Sequence, residues 1–318
     1  MKNDFKILKK VKQLLPFIVA VLVFFTSCQI ETANLLNFDS LKKQEMDTNS
    51  DDTILVVQPS TNPCETKNTE LADKLCKELG SLLSNKAGNW SIYVKNLDTG
   101  LTLEMNEKKV SAASLIKLFN MVTFYHEVLN ESLEMTDSLH ENVTYMITES
   151  SNDDSNEVVT AIGNGDFFVG AKKVTDFAIE LGCTNTQEEH MLFSTDRNVS
   201  GKNRTSVKDC GIILEKIYQN ECVSPEYDKE MLNLLKRQER NHKLPVGLPQ
   251  GTVIAHKTGE NSKVEADVGI VFAPSCDYII CVAGTDFELG NPYQTIADIS
   301  TCVYDFFERT SSEYPVEK

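Results

Sequence analysis

Hydrophobic residues recur at helical spacing at the start of the folded part of the chain and again through its middle. Leu71, Leu75, Leu79 and Leu82 follow one another at intervals of three or four, which predicts a helix near residues 70–82. The same periodicity predicts a last helix over about 294–309. Six helices are predicted between them, over residues 114–129, 140–149, 153–161, 165–181, 207–219 and 225–238.

Strand patterns lie on both sides of this helical stretch. Apolar and polar residues alternate over 90–97, and a turn at 98–100 leads into a second strand over 101–105. Three apolar, β-branched runs follow the helices, over residues 252–257, 266–272 and 278–283. The pattern favours an α+β fold, in which one antiparallel five-stranded sheet is flanked by helices and an all-helical subdomain fills the middle of the chain.

The first residues have a different pattern. Five lysines within the first twelve residues precede an apolar run from Leu14 to Phe25, which is too short for a comfortable membrane span but is typical of a secretory signal. The ending before Cys28 resembles a lipobox, so Cys28 is the predicted lipidation site, and an uncleaved anchor is the alternative. We expect a signal peptide over 1–27, a polar tether over 28–67 and the folded domain over 68–318, held by lipid at the outer face of a bacterial cytoplasmic membrane.

Charge and cysteine content exclude some classes of function. The chain has a net charge of −16, and because its first 27 residues carry +4, the remainder carries about −20. So acidic a body is not expected to bind nucleic acid. Eight cysteines follow Cys28 without a Cys-x-x-Cys pair, so we expect neither a metal nor another cofactor, and several of them are expected to be buried. Their pairing and the oligomeric state are not readable, although a monomer is expected.

Three short motifs carry the candidate chemistry. Ser114 and Lys117 form a Ser-x-x-Lys at a predicted helix start, where a spacing of three places both side chains on one face. A serine hydroxyl needs a nearby base, and a lysine in a closed pocket loses its proton more easily than in water. The second motif is Ser150-Ser151-Asn152, which is also a good helix cap, and the third is Lys257-Thr258-Gly259 at a strand end.

Each motif alone is weak, because Ser40-Leu41-Lys42-Lys43 and Ser60-Thr61-Asn62 match the first two by chance. Together, in this order and in these contexts, they resemble the signature of class A β-lactamases and penicillin-binding proteins. The resemblance extends through most of residues 70–310, and Asn156, four residues after Asn152, repeats a spacing common in that family. It implies the β-lactamase/transpeptidase-like fold and a serine hydrolase that opens β-lactam amide bonds.

The resemblance implies a role for each matched residue. Ser114 would be the acylated nucleophile, Lys117 its base or part of the proton relay, and Ser150 the acid that protonates the leaving amine. Asn152 would bind the side-chain amide of the substrate, and Lys257 with Thr258 its carboxylate.

The last implied group is the oxyanion hole. It would be formed by the backbone N–H groups of Ser114 and Glu260, and such donors are typically worth about 3 kcal/mol each. Glu260 would therefore act through its backbone only, and its carboxylate is expected to be solvated.

Three departures from the family pattern bear on the second half of the reaction. Ser151 replaces a common aspartate, and the segment between Lys117 and Ser150 is short, so a wall of the pocket is expected to be missing. The family's Glu-x-x-x-Asn loop, which directs water onto the acyl-enzyme, aligns near residues 190–193, where no carboxylate stands. The nearby side chains are interpreted as surface charges or, for the histidine, as incidental: Glu188, Glu189, Asp196 and His190.

Three functions remain open at this point. The first is a β-lactamase-like hydrolase that forms an acyl-serine and releases it slowly. The second is a D,D-peptidase or esterase that acts on wall-type substrates through the same serine. The third is a catalytically silent lipoprotein that binds β-lactam or peptidoglycan, for which a penicillin would leave the mass of the protein unchanged.

Overall fold

The computed structural model describes residues 64–67, 70–193, 202–287 and 290–311. Apart from residues 64–67, the predicted signal peptide and tether, with Cys28, lie outside this part of the chain. Within it, no helix combines the length and the apolar character that crossing a bilayer requires. All described residues belong to one compact unit, Ser60–Lys318.

The predicted helices and strands are present, with shifted ends. The helices are α1 (Glu70–Leu83), α2 (Ile116–Leu129), α3 (Asp137–Thr148), α4 (Asn152–Ile162), α5 (Phe167–Glu180), α6 (Val207–Gln219), α7 (Pro225–Lys236) and α8 (Pro292–Thr310), with 3₁₀ turns at Ala113–Leu115 and Leu244–Gly247. The strands are β1 (Cys64–Lys67), β2 (Asn89–Asn96), β3 (Thr102–Met105), β4 (Val110–Ser111), β5 (Arg204–Thr205), β6 (Val253–Asn261), β7 (Val264–Phe272) and β8 (Asp277–Thr285).

One antiparallel sheet organises the domain, in the order β1-β3-β2-β8-β7-β6. Five of its six strands are the five predicted from the sequence: β2, β3, β6, β7 and β8. This agreement confirms the α+β prediction. The sixth, β1, pairs with β3 and comes from the end of the segment predicted as tether. A separate two-stranded ribbon joins β4 to β5.

Both faces of the sheet are covered, and alternate side chains of β2 enter different cores. Ile92 and Val94 pack with residues of α1 and α8, among them Phe306. Tyr93 points to the opposite face, where it packs with residues of α2 to α7. The sheet is therefore the middle layer, and its α2–α7 face carries the predicted helical subdomain.

The cysteines of the described residues are mostly buried thiols, as the sequence predicts. Five are buried and free, and Cys302 is free and half-buried, whereas Cys76 is disulfide-bonded. Burial raises the pKa of each free thiol, so these groups behave as small apolar residues at neutral pH.

Candidate active site

Ser114 lies in the 3₁₀ turn that leads into α2, rather than in the first turn of an α-helix as the sequence predicts. The residue before it, Ala113, has a φ of 44°, an uncommon conformation for a residue with a side chain. Lys117 follows in the first turn of α2 and is fully buried, with its Nζ 3.0 Å from Ser114 Oγ. The predicted Ser-x-x-Lys pair is thus in hydrogen-bonding contact.

The second motif approaches this pair from the start of α4. Ser150 has a φ of 64°, and Lys117 Nζ donates to its carbonyl at 2.6 Å and approaches its Oγ at 3.4 Å. The same ammonium group lies 2.5 Å from Asn152 Oδ1. Between them Ser151, which replaces the family's aspartate, caps α4 by accepting from the N–H of Asp154. The segment is therefore both a helix cap and part of the site.

The third motif completes the cluster from β6. Lys257 is fully buried, and its Nζ donates to Ser150 Oγ at 2.7 Å and to the carbonyl of Thr258 at 2.9 Å. A Cβ placed on Gly259 would lie 2.8 Å from Leu115 Cγ, so a glycine here lets β6 approach the turn that carries Ser114.

Burial sets the ionisation of both lysines. It lowers the pKa of Lys117 to about 7, with a further lowering by the nearby charge of Arg240. It lowers the pKa of Lys257 well below its usual range, and the charge of Lys117 adds to that effect. A neutral lysine at 3.0 Å from a serine hydroxyl is positioned to act as a base.

A cavity of about 230 Å³ opens at Ser114. Asn152 and Glu260 line it on two sides, and residues 190–193 of the loop after α5 contribute His190, Leu192 and Phe193. Among the described residues, none from between Lys117 and Ser150 lines it.

The expectation that the Glu260 carboxylate is solvated is wrong. Burial alone would raise its pKa, but the nearby charges of Lys243 and Arg240 hold that pKa below its usual range. Arg240 Nη1 lies 2.8 Å from Glu260 Oε1, and Lys243 Nζ and His242 Nε2 lie 3.0 and 3.5 Å from Oε2. Lys243 is fully buried and pairs with Glu265 as well, at 2.9 Å.

The loop after α5 presents an apolar side chain within residues 190–193, where the sequence has no carboxylate. Asn156 fixes its position, because its Nδ2 donates to the carbonyl of Leu192 at 3.1 Å and its Oδ1 accepts from the N–H of Leu192 at 2.9 Å. His190 lines the cavity, but its Nδ1 lies 2.9 Å from the carbonyl of Met191. The loop therefore places Leu192, rather than an acid, beside Ser114.

The interpretation of Glu188 as a surface charge is also wrong, since it is buried against Asn120 of α2 and Thr175 of α5. Glu189 is half-buried and accepts from the N–H of Lys202, and Asp196 lies outside the described residues. Nothing in the local sequence distinguishes Glu188 from Glu189, because burial here depends on contacts with distant helices.

The described residues contain no cluster of three or more His, Cys, Asp or Glu side chains suited to a metal ion.

The fold and this cluster define a serine hydrolase of the β-lactamase type. The model of the Beta-lactamase enzyme family matches residues 74–142 and 136–307, and the chain belongs to that family. It is a serine β-lactamase-like hydrolase. No curated protein sequence matches it.

Solved structures share this fold. PBP-A is 26% identical, with a TM-score of 0.65 over 76% of this chain and 97% of its own. The TLA-3 extended-spectrum β-lactamase is 22% identical, with a TM-score of 0.65 over 74% and 98% of the two chains. The class A β-lactamase of Mycobacterium abscessus is 18% identical, with a TM-score of 0.64 over 73% and 98%.

Proposed function

We propose that this protein is acylated by β-lactams on Ser114 and hydrolyses the acyl-enzyme slowly. The observation that carries the proposal is the position of Lys117, whose buried Nζ lies 3.0 Å from Ser114 Oγ. A base at this distance can remove the hydroxyl proton as the oxygen attacks.

The proposed acylation assigns a role to each group of the cluster. Neutral Lys117 takes the Ser114 proton while Oγ forms a bond to the lactam carbonyl carbon. The backbone N–H groups of Ser114 and Glu260, which both line the cavity, stabilise the oxyanion. The C–N bond then breaks, and the leaving nitrogen takes a proton from Ser150 Oγ. Lys117, which now carries the Ser114 proton and lies 3.4 Å from Ser150 Oγ, is placed to return a proton to it, while Lys257 donates a hydrogen bond to the same oxygen at 2.7 Å.

Substrate recognition is assigned to the remaining groups. Asn152 Oδ1 accepts from Lys117, so its Nδ2 is the atom available to a carbonyl of the substrate side chain. Lys257 and Thr258 provide an N–H and a hydroxyl donor for the substrate carboxylate. Glu260 itself adds no net repulsion here, because Arg240 and Lys243 neutralise its carboxylate.

Slow deacylation follows from the loop. Leu192 cannot remove a proton from water, and the buried Glu188 does not line the cavity. One matched structure is a leucine-to-glutamate variant of PBP-A, described as an acyl-enzyme complex with penicillin G. Such a complex supports the idea that this architecture forms acyl-enzymes with penicillins.

Intact mass measured during incubation with penicillin G tests the proposal. We expect one adduct of penicillin mass that forms within minutes, persists for hours and is absent from Ser114→Ala. Rapid consumption of penicillin without an adduct would instead indicate efficient hydrolysis of the acyl-enzyme. Neither adduct nor consumption would favour the silent binding protein, and turnover of a D-Ala-D-Ala peptide through Ser114 would favour a D,D-peptidase.

A further inference from the structure

Glu188 is a buried carboxyl group that the proposed acylation does not use. It lies in the loop after α5, and its backbone N–H donates to Thr175 Oγ1 at 3.0 Å. Only 4% of the residue is exposed, and it is not part of the cavity lining. Because a buried carboxyl is costly unless it has partners, the groups around it indicate what it does.

Asn120 connects Glu188 to the helix that carries the base. It is fully buried one turn after Lys117 on α2, and residues three apart share a helix face. In the amide orientation that satisfies all of its partners, Asn120 Nδ2 donates to Glu188 Oε2 at 2.7 Å and to the carbonyl of Ile116 at 3.2 Å, and its Oδ1 accepts from Ser155 Oγ at 3.1 Å. Glu188 is therefore tied by a hydrogen bond, through Asn120, to the helix that carries Lys117.

The charges around Lys117 come from four elements. Arg240 and Lys257, from the segment after α7 and from β6, oppose its protonation, and Asp154 on α4 and Glu188 favour it. Burial raises the pKa of Glu188 to about 8, although the bond from Asn120 and the charge of Lys117 oppose that shift. Glu188 and Lys117 therefore both change protonation near neutral pH.

We propose that Glu188 is a positioning residue for acylation, which acts through Lys117, and this inference rests on the proposed role of Ser114. The ionised carboxylate stabilises the ammonium group that forms when Lys117 takes the Ser114 proton. The protonated carboxyl keeps its bond to Asn120 but lacks the charge. Since charges interact strongly in a buried site, acylation is faster once Glu188 has ionised.

The rate of acylation by penicillin G between pH 6 and 9.5 tests the inference. In the wild type we expect the rate to rise in two steps, the first as Lys117 becomes neutral and the second as Glu188 ionises. Glu188→Gln keeps the side-chain shape and should lose the second step, with a plateau about tenfold lower above pH 9 and less than a threefold difference at pH 7. Glu188→Asp should restore part of the second step, and Glu189→Gln, the same change at the next residue, should keep both.

A measurement without substrate separates this inference from the proposed function. NMR titration of lysine labelled with ¹³C at Cε should show Lys117 responding to both ionisations in the wild type and to one in Glu188→Gln. A single step in the wild type, or an equal loss of acylation rate at every pH in Glu188→Gln, would overturn the inference. A wild type that titrates in two steps but forms no adduct would overturn the proposed function instead.

Discussion

At the scale of single residues, the site depends on two buried lysines that meet at one serine hydroxyl. Lys117 and Lys257 both contact Ser150 Oγ, and neither is exposed. Two adjacent buried ammonium groups would repel each other, so the pKa of at least one must fall. The charges that face the pair from outside therefore decide the pH range in which Lys117 is a base.

Arg240→Gln should move acylation to higher pH. Arg240 lowers the pKa of Lys117, so its removal raises that pKa and leaves more Lys117 protonated at pH 7. Because only the neutral amine accepts the Ser114 proton, we expect a several-fold slower acylation at pH 7 and a near-normal rate at pH 9. The measurement is the pH dependence of the maximal acylation rate. Arg237→Gln, an exposed arginine three residues earlier, is the control, and an unshifted profile in Arg240→Gln would contradict the assignment.

Leu192→Glu should shorten the life of the acyl-enzyme. The pair of hydrogen bonds from Asn156 fixes the backbone of residue 192, so the new carboxylate would face the cavity beside Ser114. A positioned general base typically contributes 10²–10⁴-fold, and we expect at least about tenfold faster loss of the penicillin adduct by intact mass. Leu192→Gln, which has the same shape without the base, should leave the decay unchanged. Equal decay in both variants would count against loop-controlled deacylation.

The residue scale is also where sequence alone is least informative. Ser114, Lys117 and Lys257 could be predicted because each stands in a short motif with its own local structure. The environments of the Glu188 and Glu260 carboxylates could not be predicted in this way, because they come from distant segments. Glu260 is paired with groups after α7, and Glu188 is buried against Asn120 and Thr175 from two different helices, which local spacing does not reveal.

At the scale of elements, apolar periodicity predicts the helices and strands well because both faces of the sheet are covered. Their ends are set by caps, as Thr136 shows by starting α3 three residues before its predicted beginning. The four residues of β1 are too few to give a comparable pattern. They form a strand because they pair with β3. The loop after α5 has no apolar periodicity, and its described part is fixed by long-range hydrogen bonds from Asn156 and Asn203.

Gly170→Ala should destabilise the helical subdomain. A Cβ on Gly170 would lie 1.8 Å from the carbonyl oxygen of Val159, so α4 and α5 would have to separate. We expect a loss of about 3 kcal/mol in the free energy of unfolding, measured with urea. Gly80→Ala is the matched control on α1, where no atom lies within 4 Å, and it should gain about 0.5–1 kcal/mol from helix propensity. Equal effects of the two substitutions would contradict the close helix contact.

At the scale of the whole molecule, charge separates the first residues from the rest. The first 27 residues are basic, whereas the remaining chain carries about −20. An acidic body is repelled by anionic lipid, so it would not remain at a membrane surface through its own charge. Charge alone therefore gives the body no attachment to a membrane, in contrast to the basic and apolar N-terminal segment.

We propose that lipid on Cys28 attaches the protein to the membrane, and Cys28→Ala should remove the lipid. Two acyl chains are enough for stable anchoring, so the wild type should fractionate with bacterial membranes and carry the mass of a diacylglyceryl group on Cys28. In Cys28→Ala the lipid cannot be added, and any attachment that persists must come from the apolar run before it. Ser27→Ala keeps a small residue before the cysteine and should behave as the wild type. A wild type that detergent alone extracts but that keeps residues 1–27 and carries no diacylglyceryl mass would point to an uncleaved signal anchor and contradict the lipid anchor.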